Sequence, residues 1–112
     1  MRSEVGRANW KDRVLYFLGR RKAFLVEGDS MLPMLKSGDC VLIDPKSPIS
    51  PGDIVLAEHP YKKGLKLIKR IDSVDSDGGC LLIGTNPDES SDSRTLGRFL
   101  RASIKGKVVC RL

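Results

Sequence analysis

The chain has 112 residues, of which 40% are hydrophobic and 30% charged, with 20 basic and 14 acidic side chains for a formal net charge of +6. That mix predicts one folded domain with a shallow core and excludes a disordered chain. No apolar run approaches the roughly 20 residues that cross a bilayer, and the run Val14–Leu18 is shorter than the 7–15 or so residues of a signal-peptide core. A soluble, cytoplasmic protein with no integral membrane anchor is expected.

In chain order, residues 9–18 read as a helix. Asn9 caps it, Asp12 sits three residues on, and Gly19 ends it. Trp10, Val14, Phe17 and Leu18 recur at helical spacing and form one apolar stripe. That stripe predicts a lid or brace packed on the rest of the chain, and the nearby Arg20-Arg21-Lys22 leaves a membrane-surface helix as the alternative. The segment 1–22 is therefore read apart from 23–112. From residue 23 the texture changes to short Val-, Ile- and Leu-rich runs at 23–26, 40–43, 53–57, 65–74, 80–84 and 106–110. Turns such as Ser37-Gly38-Asp39, Pro51-Gly52-Asp53 and Asp77-Gly78-Gly79 separate them. This spacing predicts a mainly β fold, an antiparallel sheet that is coiled or partly closed as a barrel.

Cys40, Cys80 and Cys110 are odd in number, contain no CxxC and lie in apolar runs. They read as buried structural thiols, neither a disulfide framework nor a zinc ribbon. The single His59 disfavours a two-histidine metal site and reads as a turn residue before Pro60. No metal or cofactor is called for. Bases dominate residues 2–22 and 94–111, and acids dominate 72–92. Such stripes read as solvated faces. A nucleic-acid surface is the sharper reading, but aromatic residues are few and scattered, so no nucleic-acid partner is expected.

The segment 65–72 carries the sharpest chemical signal. In a strand, Leu65, Leu67, Lys69 and Ile71 share one face, which is apolar except for Lys69. A core-facing ammonium without a partner costs several kcal/mol. Full burial lowers a lysine pKa by about 3–5 units, which makes the neutral amine a general base near pH 7. The structural alternative is a lysine that snorkels to the rim or meets a carboxylate such as Asp92. For a hydroxyl partner, Ser30 stands out: a strand runs into Gly28, and Ser30 then opens a turn whose free N–H groups suit an oxyanion. Its plain alternative is an N-cap. The polar stretch 84–94, with Ser90, Asp92 and Arg94, is a long loop of the kind that often carries function, with Asp92 and Arg94 spaced to pair.

Gly28-Asp29-Ser30-Met31-Leu32-Pro33-Met34-Leu35, Lys36-Ser37-Gly38-Asp39, Pro51-Gly52-Asp53-Ile54-Val55, Ile68-Lys69-Arg70-Ile71, and Gly84-Thr85-Asn86 through Ser90-Ser91-Asp92-Ser93-Arg94 occur in one order. In that order they resemble the boxes of type I signal peptidases and their relatives, over roughly residues 23–110. The resemblance implies a coiled β-sheet serine endopeptidase domain at 23–112. Ser30 matches the nucleophile and Lys69 the general base of a Ser/Lys dyad. Ser90 matches the serine that orients the lysine amine, Asp92 and Arg94 match a structural pair, and the Ser30 backbone N–H serves the oxyanion. The family binds an extended substrate and cleaves after a small residue. Here that groove would be lined by Phe24, Val26 and Met31. Gly28 stands where some members carry an oxyanion-stabilising hydroxyl, and Thr85 replaces the usual aspartate. The membrane anchor and large inserted domain of signal peptidases are absent from the match. The compact pattern is most similar to the proteases that mature nickel-type superoxide dismutase, which implies a precursor's N-terminal segment as the partner. The alternatives are a self-cleaving domain of the SOS-repressor or mutagenesis-protein type, and a non-catalytic basic β-domain that binds nucleic acid. The chain has neither of the Ala-Gly and Cys-Gly dipeptides at which the self-cleaving type is cut.

Overall fold

The β-rich runs form strands because their branched side chains fit a half-buried pleated surface, and the short turns between them make the pairing antiparallel. The computed structural model describes residues 6–27, 31, 35–85 and 93–111, with the backbone alone at Arg94 and Thr95. The strands are β1 (Lys22–Leu25), β2 (Cys40–Asp44), β3 (Ile54–Glu58), β4 (Lys66–Val74), β5 (Cys80–Ile83) and β6 (Ile104–Arg111). They pair antiparallel in the order β1-β2-β6-β3-β4-β5. Helix α1 (Trp10–Phe17) precedes the sheet, and a single turn, α2 (Ser93–Leu96), follows β5. The expected mainly β architecture is present, and each expected strand lies within two residues of its observed bounds.

The sheet is curled but open, with β1 and β5 at its two ends. Register shifts at Leu42/Ile43, Leu56/Ala57 and Ile71/Ser73 mark where extra residues bend the strands. Gly106 allows the sharpest approach: a Cβ there would run into the Ile43 side chain and lie 2.9 Å from the Asp44 carbonyl oxygen. The β5 edge is covered, since Cys80 and Phe99 exchange backbone hydrogen bonds of 2.8 Å.

Strand alternation divides the core into two clusters. Ile54, Leu56 and Ile68 join Val26, Met31, Leu35, Val41 and others in one cluster. Val55, Ala57 and Ile71 join Cys80, Leu82, Phe99 and Ile104 in the other. β3 is thus buried on both faces, which is why its sequence reads as continuously apolar rather than alternating.

Helix α1 forms as its capping signals dictate. The Asp12 N–H donates to Asn9 Oδ1, and the Asn9 N–H donates to Asp12 Oδ2, each at 3.0 Å. Its packing corrects the sequence-based expectation of a brace. Trp10, Val14, Phe17 and Leu18 are all exposed, and α1 contains no buried residue. The half-buried positions are Asp12 and Leu15, on the opposite side of the helix. The helix is held by its approach segment instead: the Ala8 N–H donates to the Arg111 carbonyl (2.7 Å), and the Arg111 N–H to Gly6 (2.8 Å).

Members of the charge stripes pair with one another at the surface. Arg98 pairs with both Asp75 and Asp77 across the β4–β5 turn, Lys107 sits 3.6 Å from Asp53, and Lys105 sits 3.5 Å from Glu58. Basic and acidic segments distant in sequence meet one another on the surface.

Candidate active site

Lys69 is 1% exposed, the one charged residue buried among the described residues. β4 places it there by alternation. Leu67 and Ile71, two positions to either side, pack with the Phe99 cluster, while Ile68 between them faces the other cluster. Val55 of β3 lies directly across from Lys69. On the other side β4 pairs Arg70 with Ile83 and Ile71 with Leu82. One further step of that register sets Lys69 across from Gly84, where the polar loop begins. The rim-snorkelling alternative does not apply, because the whole side chain is out of solvent.

The far end of that loop returns to the same strand pair. The Leu82 N–H, on the outer side of β5, donates to the Ser93 hydroxyl at 2.7 Å. Loop 84–93 therefore starts beside Lys69 and is tied down two residues before its own start. Ser93 was not singled out by the sequence, where nothing separates it from the neighbouring Ser90 and Ser91. Ser90 and Asp92, and the side chain of Arg94, lie outside the described residues, as does the expected Asp92–Arg94 pair.

Ser30 also lies outside the described residues, but its segment is bounded on both sides. The Val26 N–H donates to Asp39 (2.8 Å), and the Gly38 N–H donates back to Val26 (2.9 Å), pinching the base of segment 26–39. The Asp39 carboxylate accepts the Lys36 N–H at 3.0 Å, and the Leu35 N–H donates to the Met31 carbonyl at 2.9 Å. Met31 and Leu35 are buried in the cluster that holds Ile68. Met31 follows Ser30 in the chain and Ile68 precedes Lys69, so the immediate neighbours of both candidate residues share one core.

Those neighbours also share a cavity of about 120 Å³, lined by Phe24, Val26, Glu27, Met31 and residues 65–68. Three strands separate β1 from β4 in the sheet, so a cavity lined by both exists because the sheet curls. Phe24, Val26 and Met31 thus line one hollow, next to the start of β4. Its walls are mostly apolar, with Glu27 and Lys66 as its charged members.

The other titratable groups stand apart from this hollow. Burial first, then the Asp12 charge, pushes the Cys110 thiol up to about 11, and burial likewise raises Cys80. Both are buried neutral thiols, as expected, whereas Cys40 is half-buried. His59 Nδ1 accepts the N–H groups of Tyr61 and Lys62 at 3.0 Å each, which makes it a turn residue. No cluster of potential metal ligands occurs among the described residues.

A curled antiparallel sheet that buries a lysine beside a groove and a polar loop tied at its ends has the architecture of a signal-peptidase-like hydrolase. The chain belongs to the Peptidase S24-like family, whose profile matches residues 6–109. It is also similar to the mitochondrial inner membrane protease subunit 1 of Xenopus tropicalis, at 29% identity over 111 aligned positions. That match takes in 79% of this chain and 66% of the relative, so the chain spans just under two thirds of the relative's length.

Proposed function

We propose that the chain is a serine endopeptidase working through a Ser30/Lys69 dyad, and that it removes an N-terminal propeptide from a precursor protein. Burial of Lys69 is the observation that carries the reading. Burial disfavours the charged form of an amine, and the neutral amine is the form able to accept a proton. Lys69 Nζ takes the proton of Ser30 Oγ, and the resulting alkoxide attacks the substrate carbonyl. The peptide C–N bond breaks, the leaving amine takes the proton from Lys69, and an acyl-enzyme remains. Water, deprotonated by the same amine, then releases the acid. The Ser30 backbone N–H serves the oxyanion. Ser90 orients the amine, and Asp92 with Arg94 stiffens the loop that Ser93 ties to β5. The extended substrate lies along Phe24, Val26 and Met31, and the small volume of the hollow suits a short side chain next to the scissile bond.

This reading assigns the peptidase part to residues 23–112 and the helical segment to 1–22, and it places the enzyme in the cytoplasm. The precursor is that of a nickel-type superoxide dismutase, a choice supported by the compact pattern of boxes in the sequence. The test is incubation with that precursor, followed by N-terminal sequencing of the product. A single new N-terminus, lost in Ser30→Ala and in Lys69→Met with both variants folded, is the expected result. Cleavage that survives either substitution removes the dyad. Cleavage of other precursors but not this one removes only the substrate.

A further inference from the structure

Helix α1 turns its apolar stripe away from the protein. Trp10 is 71% exposed, Phe17 92% and Leu18 70%, and Val14 is exposed between them. At helical spacing these four occupy about 100° of arc. The polar contacts hold the opposite side: Asp12 lies next to the Cys110 thiol on β6, and residues 6–8 bridge to Arg111. The stripe cannot turn inward without undoing these contacts.

The charge around the stripe identifies its occupant. Lys11 and Arg13 flank it on either side, and Lys11 Nζ sits 5.9 Å from the centre of the Trp10 ring. Arg20 and Lys22 follow, both exposed. Within residues 7–22 the single acid is Asp12, which faces the body. A second copy of the chain would bring the same cations face to face around the stripe, and like charges disfavour that pairing. Nucleic acid would satisfy the cations but leave Phe17 and Leu18 in water. An anionic bilayer satisfies both: aromatic and aliphatic side chains enter the headgroup boundary, and Lys and Arg meet the lipid phosphates. We infer that α1 is a peripheral docking element for an anionic membrane surface, lying flat with Trp10, Val14, Phe17 and Leu18 inserted. The inference stands independently of the peptidase reading, since none of these residues belongs to the groove or the dyad.

Trp10 is the single tryptophan, so intrinsic fluorescence reports this helix alone. The full chain is titrated with vesicles of phosphatidylglycerol and phosphatidylcholine, and with vesicles of phosphatidylcholine alone, alongside co-sedimentation. A blue shift and co-sedimentation with the anionic vesicles, both weakened by 1 M salt, is the expected result. Phe17→Ser is expected to lower partitioning roughly tenfold or more, and Arg13→Gln about fivefold. Both variants should keep the thermal melt of the parent, because neither side chain is buried. Equal binding to both vesicle types, or no binding to either, overturns the proposal. So does a blue shift that rises with protein concentration in the absence of lipid, which would assign the stripe to a second copy.

Discussion

Strand β4 and helix α1 each carry a clean amphipathic pattern with a basic residue beside it, and they resolve it in opposite ways. In β4 the apolar face goes inside and takes Lys69 with it. In α1 the apolar face goes outside, with Lys11 and Arg13 beside it. The difference lies in what surrounds each element. β4 is hydrogen-bonded along both edges, to β3 and β5, and its central residues Ile68 and Ile71 belong to the two core clusters, so its middle is drawn inside with Lys69. α1 touches the body through Asp12, Leu15 and its approach segment, which leaves its stripe free of the core. Periodicity reports which residues share a face, and only the neighbours decide what that face meets.

The comparison is broken most forcefully at Lys69. Lys69→Met keeps the volume and removes the amine. Peptide cleavage should fall by at least about a thousandfold, while the melting temperature holds or rises, since a buried ionisable side chain replaced by a hydrophobe of similar size is often neutral or stabilising. A large drop in melting temperature would make Lys69 a structural residue. Next in size, Ile68→Ala should cost about 2–5 kcal/mol by chemical denaturation, because it opens a hole in a packed cluster. Val14→Ala, the same kind of truncation on α1, should stay within about 0.5 kcal/mol. Similar losses at the two sites would mean that α1 packs on the protein after all. Asn9→Ala should cost about 1 kcal/mol of local helix stability through loss of the cap, read as faster amide exchange in the first turn of α1 with β4 unaffected.

The smallest effect concerns the turn that follows β4. The Arg98 guanidinium, with the Gly79 N–H second, holds the Asp77 carboxyl below its ordinary 3.8. A carboxyl depressed in the folded state stabilises it above that ordinary value and loses the contribution as pH falls below it. The protection of the Gly78 and Gly79 amides, measured against their intrinsic exchange rate at each pH, should therefore fall below about pH 3.8 in an acid titration followed by NMR. Unchanged protection down to pH 2 would show that the ion pairs contribute nothing to the turn.

The helix and strands were legible because their signals are local. Asn9 with Asp12 forms a cap from residues three apart, and Gly78, at φ 88°, closes its turn where few other residues could. Lys69 was legible as an anomaly, because a lysine among Leu65, Leu67 and Ile71 breaks the alternation of its own strand. The sequence thus determined the elements, the two sides of each one, and the residue that does not belong on its side. Three things required the fold: that Lys69 is sealed from water between β3 and β5, that Ser93 returns to Leu82, and that the α1 stripe looks outward. Each depends on contacts between segments far apart in the chain, such as Leu82 with Ser93 or Gly6 with Arg111. Burial is a property of what arrives from elsewhere, and the curl that brings β1 to β4 arises from bulges whose register no local pattern announces.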